Sequence, residues 1–326
     1  MKKKEIFIAF FGIIISILLL YLSFKNINFL NLLEMLKKAR IPFILLFFVS
    51  TFFEMIFRTL KWYLILNSNI KVDFYNIFKF EIISLGINNI LPFRMGELTK
   101  MFLVAKFYSV SKTTVISTIF IERILDSIIL FSLLLLYSKI GGINILINTT
   151  SIFIILNLAI LIIIIGFVFS EKIIETQYFK KIEIKHPKIY SLIIKFKNGG
   201  KCFKDPKLAF AIFFVGIIQW SFDVLNNYFI AKSLEIKIID YFKAAITVFA
   251  GSLSSSIPSM PGYFGNYEYA ISRVCMSWGI EKELSILFPA MVHILGYILI
   301  TLTAIIYIYS LGFNFKKILK ISKMED

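Results

Sequence analysis

The chain has 326 residues, 58% of them hydrophobic and 17% aromatic, with a mean hydropathy of +0.82. That lies well above the roughly 45–50% apolar content of a soluble domain and excludes an ordinary soluble fold. A formal net charge of +16 would suit nucleic acid, but no soluble domain is present to bind it, and the lysines gather at the ends of apolar stretches, where they set topology and meet anionic lipid.

A helix needs about 20 mostly apolar residues to cross a bilayer core about 30 Å thick, and the stretches 6–23, 41–66, 113–137, 151–169, 208–231 and 284–311 qualify. Met1-Lys2-Lys3-Lys4 precedes the first, but no small-residue cleavage site follows Tyr21-Leu22-Ser23, so it reads as a retained helix and not a signal peptide. Span 41–66 carries Glu54 and Arg58, four residues apart and spaced to pair. The next apolar stretch, about 77–107, is interrupted: Phe78-Lys79 … Gly86 … Pro92 … Gly96-Glu97. Span 113–137 carries Glu122, Arg123 and Asp126 near its middle, and 208–231 carries Asp223, Asn226 and Asn227. A second interrupted stretch, about 242–278, reads Phe242-Lys243 … Gly251 … Pro258 … Pro261-Gly262 … Gly265 … Glu268. His293 in the last span stands alone and reads as a packing histidine. Cys202 and Cys275 show no metal-ligand spacing and are poorly placed to pair, so they read as reduced; no metal and no cofactor is expected.

Starting inside, the spans alternate so that the lysine-rich loop 171–206 and the tail lysines Lys316, Lys317, Lys320 and Lys323 face the cytoplasm, as the positive-inside bias requires. Lys25, Lys37, Lys38 and Arg40 in the loop 24–40 run against it. The expected location is the cell membrane with both termini cytoplasmic. The count closes only if each interrupted stretch leaves the membrane by the side it entered. Each lies between two full spans, and the two sets start on opposite sides. The fold class is therefore all-α: a polytopic membrane helical bundle, one integral domain over 1–326, with two broken re-entrant helices in an inverted-topology repeat, about 41–137 and 208–311. Paired broken helices of this kind mark transporter substrate sites near the bilayer midplane. The alternative is a pair of proline-kinked helices that cross fully, which would reverse the orientation of 108–170.

A broken helix in lipid leaves backbone groups without partners unless protein or a wet cavity satisfies them, so the breaks predict a cavity. Pro92 stops the helix before it, Gly96 lets the chain turn, and the following half-helix starts with free N–H groups and a positive dipole end. Such an end beside Arg94 suits an anion such as a lipid phosphate. The plainer reading makes Arg94 a snorkelling residue and Glu97 a helix cap. Each charge at mid-membrane costs about 2.5–3.5 kcal/mol on the insertion scale, so Glu122, Arg123 and Asp126 nearly cancel their helix's tendency to insert. They share an arc of about 100°, facing one polar interior, either as a functional site or as a self-neutralising structural network.

Taken together, Leu85-Gly86 … Asn89 … Leu91-Pro92-Phe93-Arg94 … Gly96-Glu97, then Glu122-Arg123 … Asp126, then Pro258 … Pro261-Gly262 … Gly265 … Glu268 resemble the transmembrane region of lysylphosphatidylglycerol synthases, a flippase-like membrane family. The resemblance covers nearly the whole chain. It implies a bundle with two re-entrant segments that moves a lipid, with Arg94, Glu97, Glu122, Arg123, Asp126 and Glu268 at the family's motif positions. Pro92, Gly96, Pro258, Pro261, Gly262 and Gly265 would be its structural breaks. Two departures stand out. Tyr263 occupies the position where the family usually has a second glycine, widening or plugging the turn. No aminoacyl-transferring domain follows residue 311, so any cargo would be made elsewhere.

The favoured expectation is a flippase or transporter for an anionic lipid or lipid-linked head group. A second is a non-catalytic partner of a lipid-modifying enzyme, docked through the basic loop. A third is a membrane enzyme with Glu97, Glu122 or Glu268 as general base. With no HExxH, no paired-aspartate metal pattern and no nucleophile elbow, no catalytic residues are assigned and the protein is expected not to be an enzyme. The sequence sets no oligomeric state.

Overall fold

A computed structural model describes residues 3–25, 27–92, 94–140, 199–257 and 259–312, with 151, 183–185, 187, 190 and 194 between them. The expected span 151–169, most of the basic loop 171–206, Pro258 and the tail lysines lie outside the described residues. Among the described residues the structure is helical, with no strand.

In chain order the helices are α1 (Lys3–Phe24), α2 (Phe29–Lys37), α3 (Ile41–Asn67), α4 (Phe74–Ile90), α5 (Met95–Phe107), α6 (Lys112–Ile140), α7 (Pro206–Ser233), α8 (Tyr241–Ser254), α9 (Asn266–Ser277) and α10 (Lys282–Ser310). Side-chain caps set several starts. Asn28 accepts from the Leu30 and Asn31 amides, Asp73 from Asn76, Asp205 from Lys207 and Asp240 from Lys243. The Asn28 cap explains one departure from expectation: the stretch 24–40, read as a loop, holds α2, which buries Leu32. Helices α3, α7 and α10, of 27, 28 and 29 residues, are long and apolar enough to cross a membrane.

Helices α3 and α7 form an antiparallel pair. At one end the Arg40 amide donates to the Ser233 carbonyl (2.8 Å) and the Arg40 guanidinium pairs with Glu235, which neutralises one of the four basic residues of the stretch 24–40. At the other end Asn69 donates to the Gly199 carbonyl (3.1 Å), and Cys202 packs buried with Ile65 and Ile212. Both cysteines are free and buried.

The two interrupted stretches are helical hairpins. In the first, α4 and α5 fold back on each other through ordered rungs: the Gly96 amide donates to Asn88 Oδ1 (2.8 Å), Lys100 Nζ meets Glu81 Oε2 (2.5 Å), the Phe80 and Phe107 rings lie 5.6 Å apart, and Tyr108 Oη donates to Asp73 Oδ2 (2.5 Å). Both ends of the hairpin therefore meet at the Asn67 end of α3, where Phe74 touches Tyr63. In the second, Gly251 lies against Tyr267 and Ile271, and Lys243 sits 5.7 Å from the Trp278 ring, so α8 and α9 also begin and end together. Their base follows Ser233, at the Arg40 end of α3. The hairpins thus point at each other from opposite ends of the bundle. Helix α10 runs beside both: Gly86 packs on Ala304, Asn89 donates to Thr301 (2.9 Å), and His293 contacts Glu268.

Candidate anion site at the hairpin tips

Where α4 stops, Leu91 takes an extended conformation (φ −109°, ψ 143°), as the residue before Pro92 must. The sharp reversal falls on Arg94, whose backbone is left-handed (φ 53°, ψ 38°). Gly96 does not make that turn. It is buried inside α5, and a Cβ there would come within 1.9 Å of the Ser84 carbonyl oxygen, so glycine is required for close approach of the two half-helices. The facing tip runs through Pro261, Gly262, Tyr263 and Gly265, with Gly262 and Gly265 at positive φ (73° and 91°). The Met260 amide is tied to Ser16 Oγ of α1 at 2.9 Å.

Between the tips lies a cavity of about 210 Å³ lined by Asn88, Pro92 and Arg94 on one side and Ser255, Ser256 and Tyr263 on the other. Among the described residues no carboxylate lines it. Arg94 donates one bond, to the Ser255 carbonyl at 3.4 Å, and its guanidinium lies 5.9 Å from the centre of the Tyr263 ring. Among the described residues no acid pairs with it. Arg94 is therefore neither at the bundle's end nor neutralised, unlike a snorkelling arginine. Tyr263 narrows the cavity while itself holding a left-handed backbone (φ 64°).

Behind the first tip lies a charge network that joins four of the expected residues. Arg123 reaches Glu97 (3.1 Å), Asp126 (3.2 Å) and Glu122 (3.6 Å). Two fully buried lysines, unassigned from sequence, complete it. Lys100 of α5 bridges Glu81 (2.5 Å) and Glu122 (3.1 Å) over the Trp62 ring at 3.8 Å. Lys61 of α3 pairs with Asp126 and bonds Gln219 of α7 at 2.5 Å, while Trp220 Nε1 donates to Asp126 at 3.3 Å. The available signal was two lysines and a glutamate, each stranded in an apolar stretch, at 61, 100 and 81. Glu54 and Arg58 pair as expected (2.6 Å), and Asp223 joins them at 3.7 Å from Arg58. The network fastens α3, α4, α5, α6 and α7 together.

Glu268 stands apart from both. Its Oε2 accepts from the Gly265 amide (2.7 Å), reaching back to fix the start of α9, and its Oε1 meets His293 Nδ1 at 2.5 Å. His293, read as a lone packing histidine, is in fact this carboxylate's partner, held between Phe264 (4.5 Å) and Tyr267 (4.8 Å). Both oxygens of Glu268 are engaged in fixing the second tip, and it does not line the cavity, contrary to its expected place among the ligand contacts.

The paired hairpins and the polar residues they bring together lie within residues 9–304, which match the family described as the lysylphosphatidylglycerol synthase TM region. The chain belongs to that family. Two curated relatives come from Methanocaldococcus jannaschii. UPF0104 membrane protein MJ1078 is 25% identical over 246 residues, 71% of this chain and 96% of the relative. UPF0104 membrane protein MJ1595 is 24% identical over 322 residues, 93% and 94% of the two chains. No solved structure matches the chain. This member of the lysylphosphatidylglycerol synthase TM region family is thus a helical membrane protein whose matched region takes in both hairpins, the charge network and the tip cavity.

Proposed function

We propose that the protein moves an anionic lipid, or a lipid-linked head group, across the cell membrane, with the head-group phosphate held by Arg94 between the hairpin tips. In this reading the hairpins re-enter the bilayer from opposite faces, α4–α5 from the cytoplasm and α8–α9 from outside, as the two halves of an inverted repeat. Both termini are cytoplasmic. The observation that carries the reading is the pairing of an acid-free cavity with an arginine that has no ionic partner among the described residues. An unpaired cation inside a membrane bundle is costly, and a phosphate would relieve it with charge-assisted hydrogen bonds. The network of Glu81, Glu97, Lys61, Lys100, Glu122, Arg123 and Asp126 is internally paired. Its role in this reading is to hold the first hairpin rigidly against α3, α6 and α7 while the tips exchange the ligand.

The test is translocation of labelled phospholipids and polyprenyl-phosphate sugars in proteoliposomes, comparing the native protein with Arg94→Ala and Arg94→Lys. Movement of one lipid class, abolished in Arg94→Ala and partly kept in Arg94→Lys, is the expected result. Unchanged movement in a folded Arg94→Ala protein would remove the assignment. No movement of any lipid by the native protein would favour a non-catalytic role beside a lipid-modifying enzyme.

A further inference from the structure

A second cavity, of about 190 Å³, opens at the other end of α9 where it meets the end of α1 and the start of α10. Its lining includes Leu22 and Ser23 of α1, Tyr269 and Arg273 of α9 and Lys282 of α10, and, among the described residues, no carboxylate. Arg273 is exposed and makes no ion pair among the described residues. Lys282 is held at the mouth by donating one bond to the Lys25 carbonyl at 2.6 Å, which leaves its remaining N–H donors for another acceptor. Two cations converge here without an acid, and Leu22 and Met276 supply apolar wall. Beyond Leu22 the exposed face of α1 continues as Leu18, Ile17 and Ile14, a strip suited to acyl chains.

We propose that this pocket is a second anion site, for a phosphate group, distinct from the tip cavity and at the α8–α9 base of the bundle. A guanidinium from α9 and an ammonium from α10 in one lining match a phosphate's several acceptor oxygens. The apolar wall and the strip on α1 favour a phosphate carried on a lipid. From Gly265 to Arg273, α9 rises about 12 Å, so one short helix separates the two sites. Its tip end is fixed by Glu268 and His293, and its far end presents Arg273. The assignment of a path between the sites rests on the lipid-moving reading; the existence of the second site does not.

The test uses the full chain in detergent, with native mass spectrometry counting bound phosphatidylglycerol, inorganic phosphate, or a diacylglycerol of the same chains. All comparisons are made in an Arg94→Ala background so that the tip site is silent. Arg94→Ala is expected to retain one phosphatidylglycerol, and adding Arg273→Gln with Lys282→Gln to weaken its binding about tenfold or more, the loss expected for charge-assisted hydrogen bonds. Arg273→Lys with Lys282 intact should keep most of the binding, which separates lost charge from lost fold. Diacylglycerol binding should not respond to the substitutions. Displacement by inorganic phosphate at equal concentration would identify free phosphate as the ligand; resistance to it would identify the lipid head group. Equal phosphatidylglycerol and phosphate binding in the double-substituted protein and its parent would overturn the site. A failure at Arg94 alone would instead show as equal binding by Arg94→Ala and the native chain.

Discussion

Arg94 and Tyr263 face each other across the tip cavity, and both hold left-handed backbones (φ 53° and 64°) that side-chain-bearing residues seldom adopt. Strain of this kind persists only where the surroundings enforce it, and it concentrates at ligand sites. The surroundings here are packed closely enough to test. In Gly96→Ala the new methyl would meet the Ser84 carbonyl oxygen, a backbone atom, at 1.9 Å, and a loss of about 1–3 kcal/mol is expected in detergent unfolding. Gly296→Ala is the control. Its nearest neighbour is the Phe47 ring at 4.0 Å, and helix propensity favours alanine by up to about 1 kcal/mol, so stability should hold or rise. Equal effects at the two positions would contradict the hairpin packing. Lys100→Met leaves Glu81 and Glu122 facing each other without their shared cation. Breaking a buried pair this way costs about 3–5 kcal/mol. Adding Glu81→Met should recover part of the loss, and a neutral Lys100→Met would mean the pair is not buried as described.

At the scale of elements, each hairpin is closed at its base. In the first, Tyr108 Oη donates to the Asp73 carboxylate, which also caps α4. Partial burial works against the Asp73 carboxylate, but the bonds from Tyr108 and Asn76 outweigh it and hold its pKa below the ordinary 3.8. Burial and then the bond to Asp73 push the Tyr108 phenol up to about 12 from an ordinary 10.0. A depressed acid contributes stability above its unfolded pKa and loses it as pH falls through the folded value. A raised phenol contributes below its unfolded pKa and loses it as pH rises toward the folded one. The clasp's contribution should therefore be full between the two ordinary values, pH 3.8 and 10.0, and decline outside them, lost on the basic side as pH nears about 12 and on the acid side as it falls through the lowered Asp73 value. Amide exchange at 72–76 and 108–110, corrected for intrinsic rates, is the measurement. Tyr108→Phe should raise exchange within that window and flatten its acid dependence, whereas unchanged protection would show that the clasp does not hold the base.

For the whole molecule the decisive geometry is that the hairpin bases lie at opposite ends of the bundle. Cys202 and Cys275 are buried, so a membrane-impermeant thiol reagent should find little background. Single cysteines at Lys71 and Ser111, flanking the first hairpin, are expected to react from the cytoplasmic side. Cysteines at Lys237 and Glu281, flanking the second, are expected to react from the outside. Reaction of positions 71 and 111 from opposite sides would mean that α4 and α5 cross fully, and would remove the re-entrant part of the proposed function.

Much of this was legible in the sequence because its signals are local. Apolar run length defines the helices at 41–67, 206–233 and 282–310, and Pro92 and the Pro261-Gly262 pair mark the two breaks. The i, i+4 spacing of Glu54 and Arg58 and the i, i+3 spacing of Arg123 and Asp126 foretold those contacts. What the tertiary structure alone decided is which groups meet across long separations. Lys61 and Lys100 are single charges in apolar stretches whose partners the sequence does not name, and they lie fully buried beside carboxylates because α5 folds back on α4 and α3 packs on α6 and α7. His293 looks solitary until α10 is laid beside the second tip, where it takes the carboxylate that sequence had assigned to the ligand. Periodicity reports which face of a helix is polar; only the packing of that face against another says whether a charge there is paired, and Arg94 is distinguished by the packing that leaves it without an acid.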